Sequence, residues 1–208
     1  MPATPMDFPA LLALAAALGW ASGLRLYAVV FLVGMAGVLD WVALPPGLAP
    51  LQSTLVLSVS GCLLLLEFFA DKVPWLDSAW DALHALVRIP AAAVLAANVF
   101  GMDQATWAIL AALLGGGLSA AALTTKMTAR AAVNASPEPF SNWGLSFMED
   151  GLVIGMVWLA LHHPLLFALA LSVVLLLSLL VLMLLFKFLR AVLRRVFRFG
   201  TRGAAAAS

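Results

Sequence analysis

The sequence predicts an all-α, polytopic transmembrane bundle of about six spans, on three observations. Of 208 residues, 64% are hydrophobic and only 10% charged, with a mean hydropathy of +1.09. Soluble domains use roughly 25% charged residues, so this chain is too poor in charge to cover a water-facing surface. Apolar stretches recur at the length that crosses a hydrocarbon core of about 30 Å, which takes roughly 20 helical residues. Lys and Arg also segregate. Lys72, Arg88, Lys126, Arg130 and the tail from Lys187 to Arg202 fall on one side of the apolar runs. The alternate loops hold Asp40, Asp103, His162 and His163 without a Lys or Arg.

The apolar stretches run over residues 8–39, 51–70, 83–100, 104–133 and 143–185. The last is interrupted by His162-His163-Pro164. Proline breaks a helix and histidines are costly in lipid, so it divides into 143–161 and 164–185. The excess of Lys and Arg then places both termini and the 71–84 and 134–142 loops in the cytoplasm, with the 40–50, 101–103 and His-His-Pro turns outside. Tryptophans at 41, 107, 75, 80 and 143 fall near the two boundaries, as interfacial aromatic belts require.

The first stretch begins without a basic residue before Arg25 and carries Asp7, so it reads as a retained helix rather than a signal peptide. At about 1.5 Å per residue it is too long for a perpendicular span. Strong tilt or a break at Gly19–Gly23 would accommodate it. Gly115-Gly116-Gly117 with Ser119 and Ala120 offers a small-residue face for close helix packing.

Residues 1–186 form one membrane domain and 187–208 a basic cytoplasmic tail. In the tail, Lys187, Arg190, Arg194 and Arg198 recur at spacings of three and four opposite apolar residues. Such a helix anchors the topology and suits an anionic inner leaflet, at about 1 kcal/mol per basic residue near the surface. Gly200–Ser208 reads as disordered. The Ala-, Leu- and Gly-rich apolar vocabulary is that of a high-GC bacterium, which points to the inner membrane. Cys62 stands alone, so no intramolecular disulfide forms.

The polar chemistry gathers at the cytoplasmic loops. Aligning Pro74 with Pro139 matches Asp77 to Asn142, Asp81 to Ser146 and His84 to Glu149, all on i, i+4, i+7 spacing. The two hairpins therefore read as a candidate parallel repeat. Glu67 and Asp71 sit four apart near the end of one helix, and Lys126, Arg130 and Asn134 keep that spacing on another. Arg25 is the deepest charge, with Glu67 and Glu149 its candidate partners. A lone charge at mid-bilayer costs about 2.5–3.5 kcal/mol, so acids and bases at similar depth should pair. Arg25, Glu67, Asp71, Glu149 and Asp150 form the expected buried set. Asp77, Asp81, His84, Arg88, Lys126, Arg130, Asn134, Ser136, Glu138 and Asn142 line the expected cytoplasmic mouth. For Asp71, Lys72, Lys126 and Arg130 the plainer expectation is snorkelling to interfacial water.

Asp77, Asp81 and His84 share a helix face and are a weak candidate for a divalent metal. The pair Asp77-x-x-x-Asp81 lacks the Asp-Gly-x-x-Ala-Arg segment of CDP-alcohol phosphotransferases, and Trp20-Ala21-Ser22-Gly23 lacks the first glycine of the rhomboid Gly-x-Ser-Gly. No phosphatase Pro-Ser-Gly-His or zinc-binding His-Glu-x-x-His is present. No cofactor and no nucleic-acid partner is expected.

Gly19-Trp-Ala-Ser-Gly-Leu-Arg25, Glu67-Phe-Phe-Ala-Asp-Lys-Val-Pro74 with Asp77 and Trp80-Asp81, and Ser136-Pro-Glu-Pro-Phe-Ser-Asn-Trp143 with Glu149-Asp150 resemble a bacterial integral membrane family, domain-of-unknown-function family 4126. The resemblance spans about residues 10–185 and implies a polytopic inner-membrane protein without implying an activity. From the residues themselves, a small-solute or ion transporter or channel is the first expectation, as a homo-oligomer. A membrane enzyme acting on a lipid or isoprenoid phosphate and a non-catalytic scaffold are the alternatives.

Overall fold

A computed structural model describes residues 6–134 and 140–205. It is helical throughout its regular structure, with α1 (Phe8–Val38), α2 (Thr54–Ala70), α3 (Pro74–Phe100), α4 (Ala105–Asn134), α5 (Phe140–His162) and α6 (Pro164–Ala205). A 3-10 segment, Pro46–Gln52, leads into α2 at a bend of 67°. Five helices are long and apolar enough to cross a membrane, or six when that bent pair counts as one.

Local chemistry sets the boundaries. Asp7 caps α1 by accepting from Ala10 N at 3.0 Å, with a proline in the first turn. Ser53 caps α2 through Val56 N. Gly101 ends α3 at φ +69°, a conformation that costs glycine little. His163 separates α5 from α6, which begins at Pro164. Turns at 71–73 and 101–104 reverse the chain, so α2 through α6 run alternately between the two ends of the bundle.

The first helix does something its length conceals. Arg25 has φ −145° and ψ 76°, which interrupts the helix there. Before it, Phe8 packs on Phe100 and Trp107, and Gly19 and Gly23 lie against Gly115 and Ser119. That half therefore runs parallel to α4. After it, Tyr27 meets His84, and Val30 shares a hollow with Ala91, Val94 and Leu95, so this half runs parallel to α3. Because α3 and α4 are antiparallel neighbours, the two halves of α1 are antiparallel too. Leu11 and Leu44 consequently line one cavity. A straight helix of 31 residues would be about 46 Å long. Each half is shorter than the roughly 20 residues a span needs. α1 is a re-entrant helical hairpin with Arg25 at its tip.

This hairpin is the core of the bundle. Leu14, Ala15, Ala17, Leu18, Ala21 and Val29 are fully buried. A methyl group added at Gly19 would overlap Cα of Gly115, and one at Gly23 would overlap the carbonyl oxygen of Ser119. Small residues let the backbones approach, which is the principal attraction available between helices in lipid. The expected small-residue face on α4 is thus used. The break, however, lies at Arg25, two residues past the Gly19–Gly23 segment that was its candidate site.

Several expectations are corrected. The start of α1 lies at the end of the bundle with Trp107 and Pro164, not at the end with the 71–73 turn. α3 begins at Pro74 rather than 83, which puts Asp77 and Asp81 on the same helix as His84 and Arg88. The segment 200–205 is helical rather than disordered, and α6 runs through the tail as one helix of 42 residues.

If α1 doubles back, cysteines replacing Asp7 and Lys187 in a Cys62→Ser background should react with a membrane-impermeant maleimide from opposite faces of sealed vesicles. Labelling of both from one face would mean that α1 crosses the membrane.

Candidate functional site

The residues that cluster come from α1 to α5 and meet in the half of the bundle nearer the 71–73 turn. Helical spacing aims them inward. Glu67 and Asp71 lie one turn apart at the end of α2, Asp81 and Arg88 two turns apart on α3, Lys126 and Arg130 one turn apart on α4, and Ser146, Glu149 and Asp150 within about a turn on α5.

Around Arg25, the guanidinium meets Asp71 at 2.5 Å and Asp150 at 2.9 Å, donates to Ser146 Oγ at 2.9 Å, and lies 3.9 Å from Glu149. On α3, Arg88 holds Glu67 at 2.5 Å and Asp81 at 2.6 Å. Lys126 joins the two groups. Its ammonium is 3.1 Å from Asp81, 3.6 Å from Glu149 and 3.8 Å from Asp71. It also donates to the carbonyl oxygen of Leu24 at 3.3 Å, a group that the break at Arg25 leaves available. Arg130 meets Glu149 at 3.0 Å and the Asp71 carboxylate at 3.4 Å, and donates to the Asp71 carbonyl at 3.0 Å. That carbonyl sits at the C-terminus of α2, where helical partners run out.

Burial makes this arrangement consequential. Arg25, Glu67, Asp71 and Arg88 are fully buried, and Asp81, Lys126, Arg130 and Glu149 are at most 3% exposed. The Asp150 side chain is the most exposed of the group, at 24%. A buried ion whose partner is removed costs several kcal/mol, so each of these groups depends on the others.

The structure brings Arg25, Asp71, Glu149 and Asp150 together, and the pairing differs from the expected one in detail. Glu67, a candidate partner of Arg25, is taken by Arg88, which was expected at the cytoplasmic mouth. Asp71, Lys126 and Arg130 are buried rather than snorkelling. Lys72 donates to the Phe68 carbonyl at 3.0 Å and lies over the Phe68 ring. Partial burial pulls its ammonium below the ordinary lysine range, against the opposing pull of Asp150.

His84 stands beside the cluster. Its Nδ1 lies 2.9 Å from the Trp80 carbonyl oxygen, its ring stacks on Trp80, and the Tyr27 ring meets it edge-on. Asn142 is buried near the start of α5. The side chains of Asp77 and Asn134 lie outside the described residues, as do Ser136 and Glu138. Of the weak metal candidate, Asp81 and His84 have described side chains. Asp81 is held by Arg88 and Lys126, and no group of three or more metal-ligating side chains occurs among the described residues.

Sequence reasoning missed Ser146 as a partner of Arg25 and Arg88 as the partner of Glu67 and Asp81. The signal for Arg88 was present in its spacing of seven from Asp81, two turns along one helix face. Starting the helix at residue 83 hid it.

The family described as domain of unknown function DUF4126 matches residues 12–185, and the chain belongs to it. That region takes in the whole charge cluster. No curated protein and no solved structure matches the chain.

Replacing Arg88 by Met should cost about 3–5 kcal/mol, because it strands the buried Glu67 carboxylate and leaves Asp81 to Lys126. Lys72→Gln should stay within about 0.5 kcal/mol, as a substitution outside the buried network. Thermal unfolding in detergent micelles ranks the two. The double variant Arg88→Met/Glu67→Gln should regain part of the loss.

Proposed function

We propose that this DUF4126 protein moves a small ion or charged solute across the membrane, with the tip of the α1 hairpin as its gate and the cluster around Arg25 as its selective site. The observation that carries the reading is the placement of Arg25. An interrupted helix enters from one end, stops inside the bundle, and sets a guanidinium between carboxylates of α2 and α5. Interrupted helices at membrane depth are tolerated where they are buried in protein or line a pathway, and transporters use them at substrate sites. Ionisable side chains within spans commonly mark ion pathways.

The chemistry favours a cation. Asp71 and Asp150 are the groups a positive charge meets if Arg25 withdraws. Lys126 lies within 3.8 Å of three carboxylates and can exchange among them as the site empties and fills. The partly exposed Asp150 marks the side from which the cluster is reached. The phosphate-handling enzyme reading has less support, because Lys126 and Arg130 already serve carboxylates.

The basic end of the chain lies in the cytoplasm in this reading, against anionic lipid, and the start of α1 lies on the other face of a bacterial inner membrane. A homo-oligomer suits a bundle this small.

Purified protein in proteoliposomes should carry cation flux above that of empty vesicles, and Asp150→Asn should lower it at least tenfold with the fold intact by circular dichroism. Equal flux with and without protein would end this proposal.

A further inference from the structure

Lys126 holds a place in the charge cluster that its arginines do not. Its ammonium is 3.1 Å from Asp81 of α3, 3.6 Å from Glu149 of α5 and 3.8 Å from Asp71 of α2. The other cations of the cluster are Arg25, Arg88 and Arg130. An arginine does not release its proton in proteins, whereas a lysine ammonium can. Each of the three carboxylates also has a second cation: Arg88 for Asp81, Arg130 for Glu149 and Arg25 for Asp71. If the ammonium gives a proton to Asp81, an amine and a carboxylic acid replace two ions. Arg88 then keeps Glu67, Arg130 keeps Glu149 and Arg25 keeps Asp71, so no buried charge is stranded. Asp81 Oδ1 faces the ammonium. Asp81 Oδ2 and Glu67 Oε2 are buried without a hydrogen-bond partner among the described residues, and both are further acceptors for a proton.

We infer that the cation of the transport proposed above is a proton, relayed by Lys126 between the Asp150 edge of the cluster and Asp81. The inference rests on that transport reading and names its ion. A proton that reaches Asp150 has two ways in, through Glu149, its neighbour on α5, and through Asp71, which shares Arg25 with it. The acid so formed passes its proton to the Lys126 amine and becomes a carboxylate again, which restores the ammonium. Each transfer breaks one bond to hydrogen and forms another, so atoms and charge balance without a co-reactant. Chains of ionisable side chains within spans serve as such relays.

Room favours a proton over a metal ion. Ser22, three residues before Arg25, and Ser119, two turns from Lys126 on one face of α4, carry polar groups toward the other end of the bundle. Both are fully buried, with no hydrogen-bond partner for either hydroxyl among the described residues, whereas Thr124, Thr125 and Thr128 bond to their own helix. At this level α1 and α4 touch backbone to backbone, since a methyl group at Gly23 would overlap the Ser119 carbonyl oxygen. A hydrated metal ion does not fit between them. A hydroxyl, being both donor and acceptor, passes a proton without needing volume. Leu14 and Leu18, fully buried, close the route beyond.

The full chain in proteoliposomes with an entrapped pH-sensitive dye provides the test, in choline buffer with a permeant anion to dissipate the potential. Under an imposed pH difference, internal pH should equilibrate at least tenfold faster than in empty vesicles. Uptake of radioactive sodium or rubidium should stay at the empty-vesicle level. Lys126→Arg keeps the positive charge but cannot release a proton, so it should lower proton flux at least tenfold with circular dichroism unchanged. Asp81→Asn should lower it equally, while Asp81→Glu, which restores an acceptor, should stay within about threefold of the parent protein. The two Asp81 variants decide the matter if Lys126→Arg does not fold. Normal proton flux through folded Lys126→Arg, or equal flux through the Asn and Glu variants, would overturn the relay. Sodium or rubidium uptake would overturn the inference and leave ion transport standing, whereas no flux of any kind ends both.

Discussion

The fold depends on one constraint, that ionised groups taken out of water inside a membrane bundle must find one another. Asp71 shows it most plainly. It is fully buried at the end of α2, with Arg25, Lys126 and Arg130 around its carboxylate. Those cations come from α1 and α4, so a single acid ties three elements together. Between helices in lipid the hydrophobic effect supplies little attraction, and packing and polar contacts carry the association. The cluster therefore specifies which helices are neighbours as well as filling their core.

Close packing does the complementary part. The hairpin can reach the cluster only if its first half slides along α4 with almost no side-chain thickness between them, and Gly19, Gly23 and Gly115 allow this. Depth then places Arg25 beside α2 and α5, while Leu24 hands a carbonyl to Lys126. Geometry and charge agree on one register. Sliding the hairpin by one turn, about 5.4 Å, would bring the glycines against bulkier neighbours and pull Arg25 from its partners together.

The sequence made the membrane class and the positions of α2, α4, α5 and α6 readable, because lipid demands long apolar runs and those helices supply them. It obscured α3. The stretch before residue 83 looks like a loop because it holds Asp77 and Asp81, and the cross-helix partners that pair Asp81 and Arg88, Lys126 and Glu67, lie far away in the chain. α1 was obscured for a different reason. Both halves are embedded in protein, so a hairpin and a crossing helix carry the same hydropathy. Its excess length over a normal span was the available clue. Convergence of the charges followed from their cost in lipid, but that cost does not say which acid meets which base. Depth along a helix left Glu67 and Glu149 as equals for Arg25, and tertiary placement gave Glu67 to Arg88.

Buried ion pairs are a poor source of stability, since desolvation offsets most of the attraction. An apolar core of similar shape would hold α1 in place at least as well. What such a core lacks is a choice of partners. In this cluster Lys126 stands near Asp71, Asp81 and Glu149, and Glu149 stands near Lys126, Arg130 and Arg25. Exchanging one partner for another changes the network while leaving each charge paired, so alternative arrangements need not expose an unpaired ion. A hairpin tip locked by leucines could leave only by opening a cavity. One locked by interchangeable charges can shift while its partners re-pair, and this is the property that a gate requires.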